Sequence, residues 1–129
     1  MQRLSETLRS RKLGYNHEQG RFSYNETLGI SRAEKAIGRK FQPSDTIGVD
    51  IVDPNGLGNI SLKGPFLNAQ KQPLTQVQQQ AVIKNLQKHI STNTAVDVHI
   101  IDTLGLSDDV INALQEGLSN SPVKVIYIK

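Results

Sequence analysis

Apolar positions along the chain switch between a spacing of two and a spacing of three to four, and each switch predicts an element. "SRAEKAIGRKF", residues 31–41, predicts a helix with Ser31 as N-cap and Glu34 three residues on, in capping-box spacing. "QPSD" then breaks it. "TIGVDIV" (46–52) and "NISLKG" (59–64) have strand composition around the turn "DPNGLG", so they predict a hairpin. "PFLNAQKQP", bracketed by Pro65 and Pro73, is a loop. "LTQVQQQAVIKNLQKHI" (74–90) predicts a long helix with a Thr75/Gln78 capping box. Val77, Ala81, Leu86 and Ile90 would form its apolar seam, with Val82 and Ile83 beside it. "AVDVHIID" is a strand, Ser107 caps the helix "DDVINALQEGL", and "PVKVIYIK" is a final strand.

Before residue 30 the pattern weakens. "RLSETLRSRKL" (3–13) fits a short amphipathic helix, and "GYNHEQGRFSYNETLG" (14–29) reads as loop or irregular strand. The order helix, strand, strand, helix, strand, helix, strand implies one α/β domain over 1–129. It has a mixed central sheet with flanking helices in its 30–129 core, and a basic segment over 1–29. The crossovers after the hairpin make its second strand and the two later strands parallel.

The 129 residues can bury a single core, and with 36% apolar residues and no Trp that core is aliphatic. No apolar run approaches the ~18 residues of a membrane span, and "MQRLSETLRSRK" lacks the apolar centre of a signal peptide. Without cysteine, disulfides, thiolate metal sites and cysteine nucleophiles are excluded. Net charge is +3 but uneven: residues 1–41 carry nine Lys and Arg against four Glu, and the remainder carries six against eight acidic residues. A basic front half suits either a polyanionic partner or a well-solvated surface.

Two charges inside the hairpin change the picture. Val49 and Ile51 face one way and Asp50 the other; Ile60 and Leu62 face one way, Ser61 and Lys63 the other. With the apolar sets on the core, Asp50, Ser61 and Lys63 share the opposite face. They read either as a cross-strand ion pair, worth under ~1 kcal/mol if exposed, or as chemistry. In the second reading Asp50 is a hard oxygen ligand for a divalent ion, and Lys63 orients a water or offsets charge on a phosphate.

This helix–hairpin–helix–strand order, with "VDIVDPNGLGNISLKG" at its centre, resembles the core of the PD-(D/E)XK nuclease superfamily over residues 31–102. The resemblance puts Asp50 in the Asp position and Lys63 in the Lys position. Glu34 matches the helical Glu that many members add as a metal ligand. Ser61 stands where the second acidic residue is usual. The resemblance therefore implies Mg²⁺ (or Mn²⁺ or Zn²⁺) held by Asp50 with Glu34 or Asp53, and Ser61 nearby as a hydrogen-bonding group. Glu34 and Asp53 also have structural readings, in the capping box and in the turn before Pro54.

The small size, basic front half and "SLKGPF" also resemble the C-terminal nuclease toxin domains of bacterial contact-dependent growth-inhibition systems. That resemblance implies an endoribonuclease acting on tRNA, delivered as part of a larger secreted or surface protein into a neighbouring cell's cytoplasm. It also implies an immunity protein as partner. A DNase of the same fold, a metal-free ribonuclease using His17 and Lys63, and a non-enzymatic binding module stay open beside it.

His17 in "GYNHEQGRF" would act as acid or base or grip a phosphate; Arg21 and Tyr24 would stack on or hold a base. Arg11 and Lys12 would contact the nucleic-acid backbone. Each also reads as ordinary surface or packing. His89 and His99 read as structural, and no small-molecule cofactor or membrane contact is implied.

Overall fold

The computed structural model describes residues 15–16, 21–22 and 24–129. The helix expected over 3–13, the Arg11, Lys12 and His17 contacts, and the Arg21 side chain lie outside what is described. Tyr15–Asn16 (β1) and Arg21–Phe22 (β2) form a short antiparallel pair. The rest is a five-stranded mixed sheet with three helices. The chain order is α1 (Tyr24–Ile37), β3 (Gln42–Pro43), β4 (Ile51–Asp53), β5 (Gly58–Lys63), α2 (Gln76–Thr92), β6 (Val98–Asp102), α3 (Asp108–Gly117) and β7 (Lys124–Ile128). Strands lie side by side as β3-β4-β5-β6-β7; the first two pairs are antiparallel, and β5–β6 and β6–β7 are parallel. Among the described residues no helix is long and apolar enough to cross a membrane.

Alternation divides the sheet's side chains between two cores. Ile51, Ile60, Val98, Ile100 and Ile128 pack with Ile30 and Ala33 of α1 and with Phe41. On the other face Ile101, with Val125 and Tyr127, packs with Leu86 and Ile90 of α2 and with Leu114 and Leu118 at α3. Both clusters are mainly aliphatic, and each supplies burial at about 25 cal/mol per Å² of apolar surface.

Helix α1 starts at Tyr24, so the expected start at Ser31 is corrected. Ser31 lies inside the helix, and the Ser31/Glu34 capping box does not exist. Glu34 is buried instead, and its carboxylate accepts the Phe41 amide at 2.7 Å, tying the chain to α1 just past the helix end. Gly29 explains the misreading. A glycine in a helix interior costs up to about 1 kcal/mol and breaks the pattern, yet here a Cβ would sit 2.5 Å from the Gly64 carbonyl. The helix needs glycine to approach the loop after β5.

α2 carries the expected capping box, with the Gln78 amide donating to Thr75 Oγ1 and the Thr75 amide to Gln78 Oε1. Its buried stripe is Gln79, Ile83, Leu86 and Ile90, whereas Val77 is 81% exposed and Ala81 is exposed too. Gln79 takes the place expected for an apolar residue because it joins two helices. Its Nε2 donates to the Leu74 carbonyl, and its Oε1 accepts from the Ser107 amide at the cap of α3. Ser107 caps α3 as expected, accepting from Val110.

Candidate functional site

Asp50 lies one residue before β4, where strand pairing is incomplete. Its amide donates to the Ile60 carbonyl at 2.9 Å, and its Oδ2 accepts the Leu62 amide at 2.8 Å. The carboxylate thus stands in for the strand carbonyl that β5 lacks there, while the residue stays exposed. Register carries the face across the sheet. Ile51 pairs with Ile60, the residue before Ser61, and the Asp50 carboxylate bonds the residue after it, Leu62; Ser61 pairs with His99 of β6, and His99 with Val125 of β7. Lys63 is the next side chain on this face along β5.

Asp50, Ser61, Lys63 and His99 therefore share the α2 face, as alternation predicts for the first three. His99, structural by sequence, joins them through the register of β5 and β6. No local pattern reveals its neighbour, because β5 and β6 are joined by a long crossover whose register is set in three dimensions.

The group is polar and incompletely satisfied. His99 Nε2 lies 3.2 Å from the Asn93 carbonyl, but its Nδ1 has no partner, and neither has Ser61 Oγ; the two residues are 0% and 1% exposed. Burial pushes the His99 pKa down; the Asn93 contact raises it, Lys63 lowers it and Asp50 raises it. Both charges therefore act on the imidazole. Lys63 is half-buried and forms no ion pair with any carboxylate among the described residues, so the Asp50–Lys63 salt bridge is not made.

Asn93, at the C-cap of α2, holds this region together. Its carbonyl faces His99, its Nδ2 donates to the Gly48 carbonyl two residues before Asp50, its Oδ1 accepts from Ala95, and its amide donates to His89.

The other expected carboxylates lie elsewhere. Asp53 is three residues from Asp50, an odd step along the strand, so it points to the α1 face. There it is 1% exposed and gripped by Arg39 at 2.7 to 3.2 Å, with the Leu57 amide also donating to it. The Arg39 hydrogen bonds hold its carboxyl below the usual range. Glu34 is on α1, against the same face. Asp102 is likewise buried on that face and gripped by Arg32 at 2.7 and 3.2 Å. Tyr24, half-exposed at the start of α1, has the Lys71 ammonium 4.4 Å from its ring centre.

Among the described residues no three His, Asp or Glu side chains gather as a metal-holding group. Among the described residues, the polar side chains on this face include the Ser61 hydroxyl and the His99 imidazole, both closed from solvent, and the cation Lys63. One carboxylate beside an ammonium does not fit the multi-carboxylate cage that a hard divalent ion takes in the implied family. Compared with known proteins, the chain matches no family model, no curated protein and no solved structure.

Proposed function

We propose that the chain is a ribonuclease domain that cleaves RNA by transesterification at the Asp50–Lys63 face, without a divalent ion. The observation that carries this reading is Lys63: a half-buried ammonium with no anionic partner among the described residues, next to an exposed carboxylate. Such a cation is a receptor for a phosphate, and RNA brings its own nucleophile. Asp50 takes the proton of a ribose 2′-hydroxyl, the 2′-oxygen bonds to the adjacent phosphorus, and the bond to the 5′-oxygen breaks. Lys63 offsets charge on the phosphoryl oxygens and gives a proton to the departing 5′-oxygen. Both residues then exchange protons with water, leaving a 2′,3′-cyclic phosphate and a 5′-hydroxyl.

A tRNA substrate, action in the cytoplasm of a neighbouring cell and an immunity protein as partner rest on the toxin resemblance and belong to the same proposal. The test is incubation of the protein with unfractionated tRNA and with plasmid DNA, each with Mg²⁺ and with EDTA. Cleavage of tRNA in EDTA to cyclic-phosphate ends, lost in Asp50→Asn and Lys63→Ala with circular dichroism unchanged, is the expected outcome. Cleavage only with Mg²⁺ would restore a metal-dependent nuclease, and binding without cleavage would leave a nucleic-acid-binding module. The second of these is favoured by one observation, the complete burial of Ser61 and His99.

A further inference from the structure

We propose that Ser61 and His99 form a buried hydroxyl–imidazole pair that positions Lys63, with its polarity set by the Asn93 carbonyl. The functional half rests on the reading of Lys63 above; the pair itself does not.

The Asn93 carbonyl can only accept, so His99 Nε2, 3.2 Å away, carries the ring proton. In a neutral imidazole Nδ1 is then a lone-pair acceptor, and it is buried without a donor. Across the sheet His99 has two register partners, Ser61 and Val125. Of these, only Ser61 bears a polar side-chain atom, and that atom is the other buried group without a partner. One missing donor and one missing acceptor thus sit on paired residues. A buried polar group left unmatched costs about 1–3 kcal/mol; Ser61 Oγ and His99 Nδ1 are not bonded to each other as the side chains stand, and a rotation about the Ser61 Cα–Cβ bond or one bridging water removes both deficits.

The direction has a consequence for Lys63. With its hydrogen committed to His99, Ser61 offers only lone pairs to the rest of the face. The next side chain there along β5 is an ammonium with donors alone. Ser61 Oγ and the ammonium are not hydrogen-bonded in the structure, but lone pairs turned to that side draw the cation over the sheet beside Asp50. The opposite tautomer would turn the hydroxyl hydrogen toward Lys63 and repel it. Ser61 and His99 are positioning residues in this arrangement, and Asn93 decides which way the chain of hydrogen bonds runs.

Nitrogen-15 NMR of the histidine rings tests the pair without reference to activity. The wild-type His99 signals should show the Nε2–H tautomer, with Nδ1 displaced from the free-acceptor position. Ser61→Ala should move Nδ1 to that position, and Ser61→Thr should retain the displacement. An Nδ1 signal identical in wild type and Ser61→Ala, or an Nδ1–H tautomer, would overturn the pair. His99→Gln, which keeps an amide donor for Asn93 but has no Nδ1 acceptor, tests the coupling. On tRNA both Ser61→Ala and His99→Gln should lower kcat about tenfold, about 1.4 kcal/mol in the barrier, with KM little changed, as expected for a displaced cation, and Ser61→Thr should recover it. Unchanged kcat in both variants would reject the positioning of Lys63. Cleavage surviving Lys63→Ala would instead reject the ribonuclease reading and leave the NMR result standing.

Discussion

Asp50, Asp53 and Asp102 are one residue type in three settings. Asp53 and Asp102 are buried and each is gripped by an arginine, so their charge is spent inside the fold. Asp50 spends one oxygen on the Leu62 amide and stays exposed. Only the last is available to a substrate. Titration separates structural groups from one another. His99 is held neutral, so below about pH 6.5 the unfolded chain binds a proton the folded one refuses. Stability therefore falls as pH drops below that value, through the lower folded pKa. Asp53 is held ionised chiefly by its hydrogen bonds to Arg39. Its contribution is complete above about pH 3.9 and is lost as pH falls from there through its depressed folded value. Urea midpoints followed from pH 7 to pH 2 should decline in two stages, with His99→Gln removing the first and Arg39→Gln flattening the second. A midpoint flat between pH 7 and pH 5 in wild type would contradict the neutral imidazole.

At the scale of elements, the hairpin, both crossovers and the caps at Thr75 and Ser107 were legible because each rests on local chemistry: alternation, turn residues, or a side chain bonding to a nearby amide. The start of α1 was not, since the signal at Gly29 is tertiary. The same is true of Gln79, whose partners are 5 and 28 residues away, and of Arg39, whose partner Asp53 lies across a strand. The polarity of the hairpin faces could be read from sequence, but the arrival of His99 beside Ser61 depends on a register formed across a parallel pair. Gly29→Ala measures how far packing overrides propensity. Alanine would improve the helix by about 1 kcal/mol, but its Cβ must displace the Gly64 backbone. A net loss of about 1–3 kcal/mol in urea denaturation is expected; a gain would mean that the loop after β5 yields easily.

Over the whole molecule, the sheet assigns different work to its two faces. The α1 face carries the buried carboxylates of Asp53 and Asp102, both neutralised by arginines on or just after that helix, with Glu34 buried against it, and the larger aliphatic core. The α2 face carries a smaller core and, beside it, the unsatisfied polar group at Ser61 and His99 with a cation that no carboxylate among the described residues pairs. Substitutions on the first face should register as stability, and those around Lys63 as chemistry or binding. Within the basic front half, Arg32 and Arg39, on and just after α1, are engaged by Asp102 and Asp53 on the opposite side of the sheet from Lys63.

Asn93 bears on motion. One residue bonds the last turn of α2, the backbone leading into the hairpin at Gly48, and the imidazole of His99. The helix end cannot fray without freeing the approach to Asp50, so these segments should open together as one unit rather than independently. Native-state hydrogen exchange should then give the amides of Asn93 and Asp50 the same opening free energy, and Asn93→Ala should split them, leaving Asp50 to exchange with the hairpin alone. Different opening energies in the wild type would show that the two segments breathe separately. If they do move together, the temperature at which the end of α2 loosens also sets the temperature at which the Asp50 carboxylate loses its fixed place.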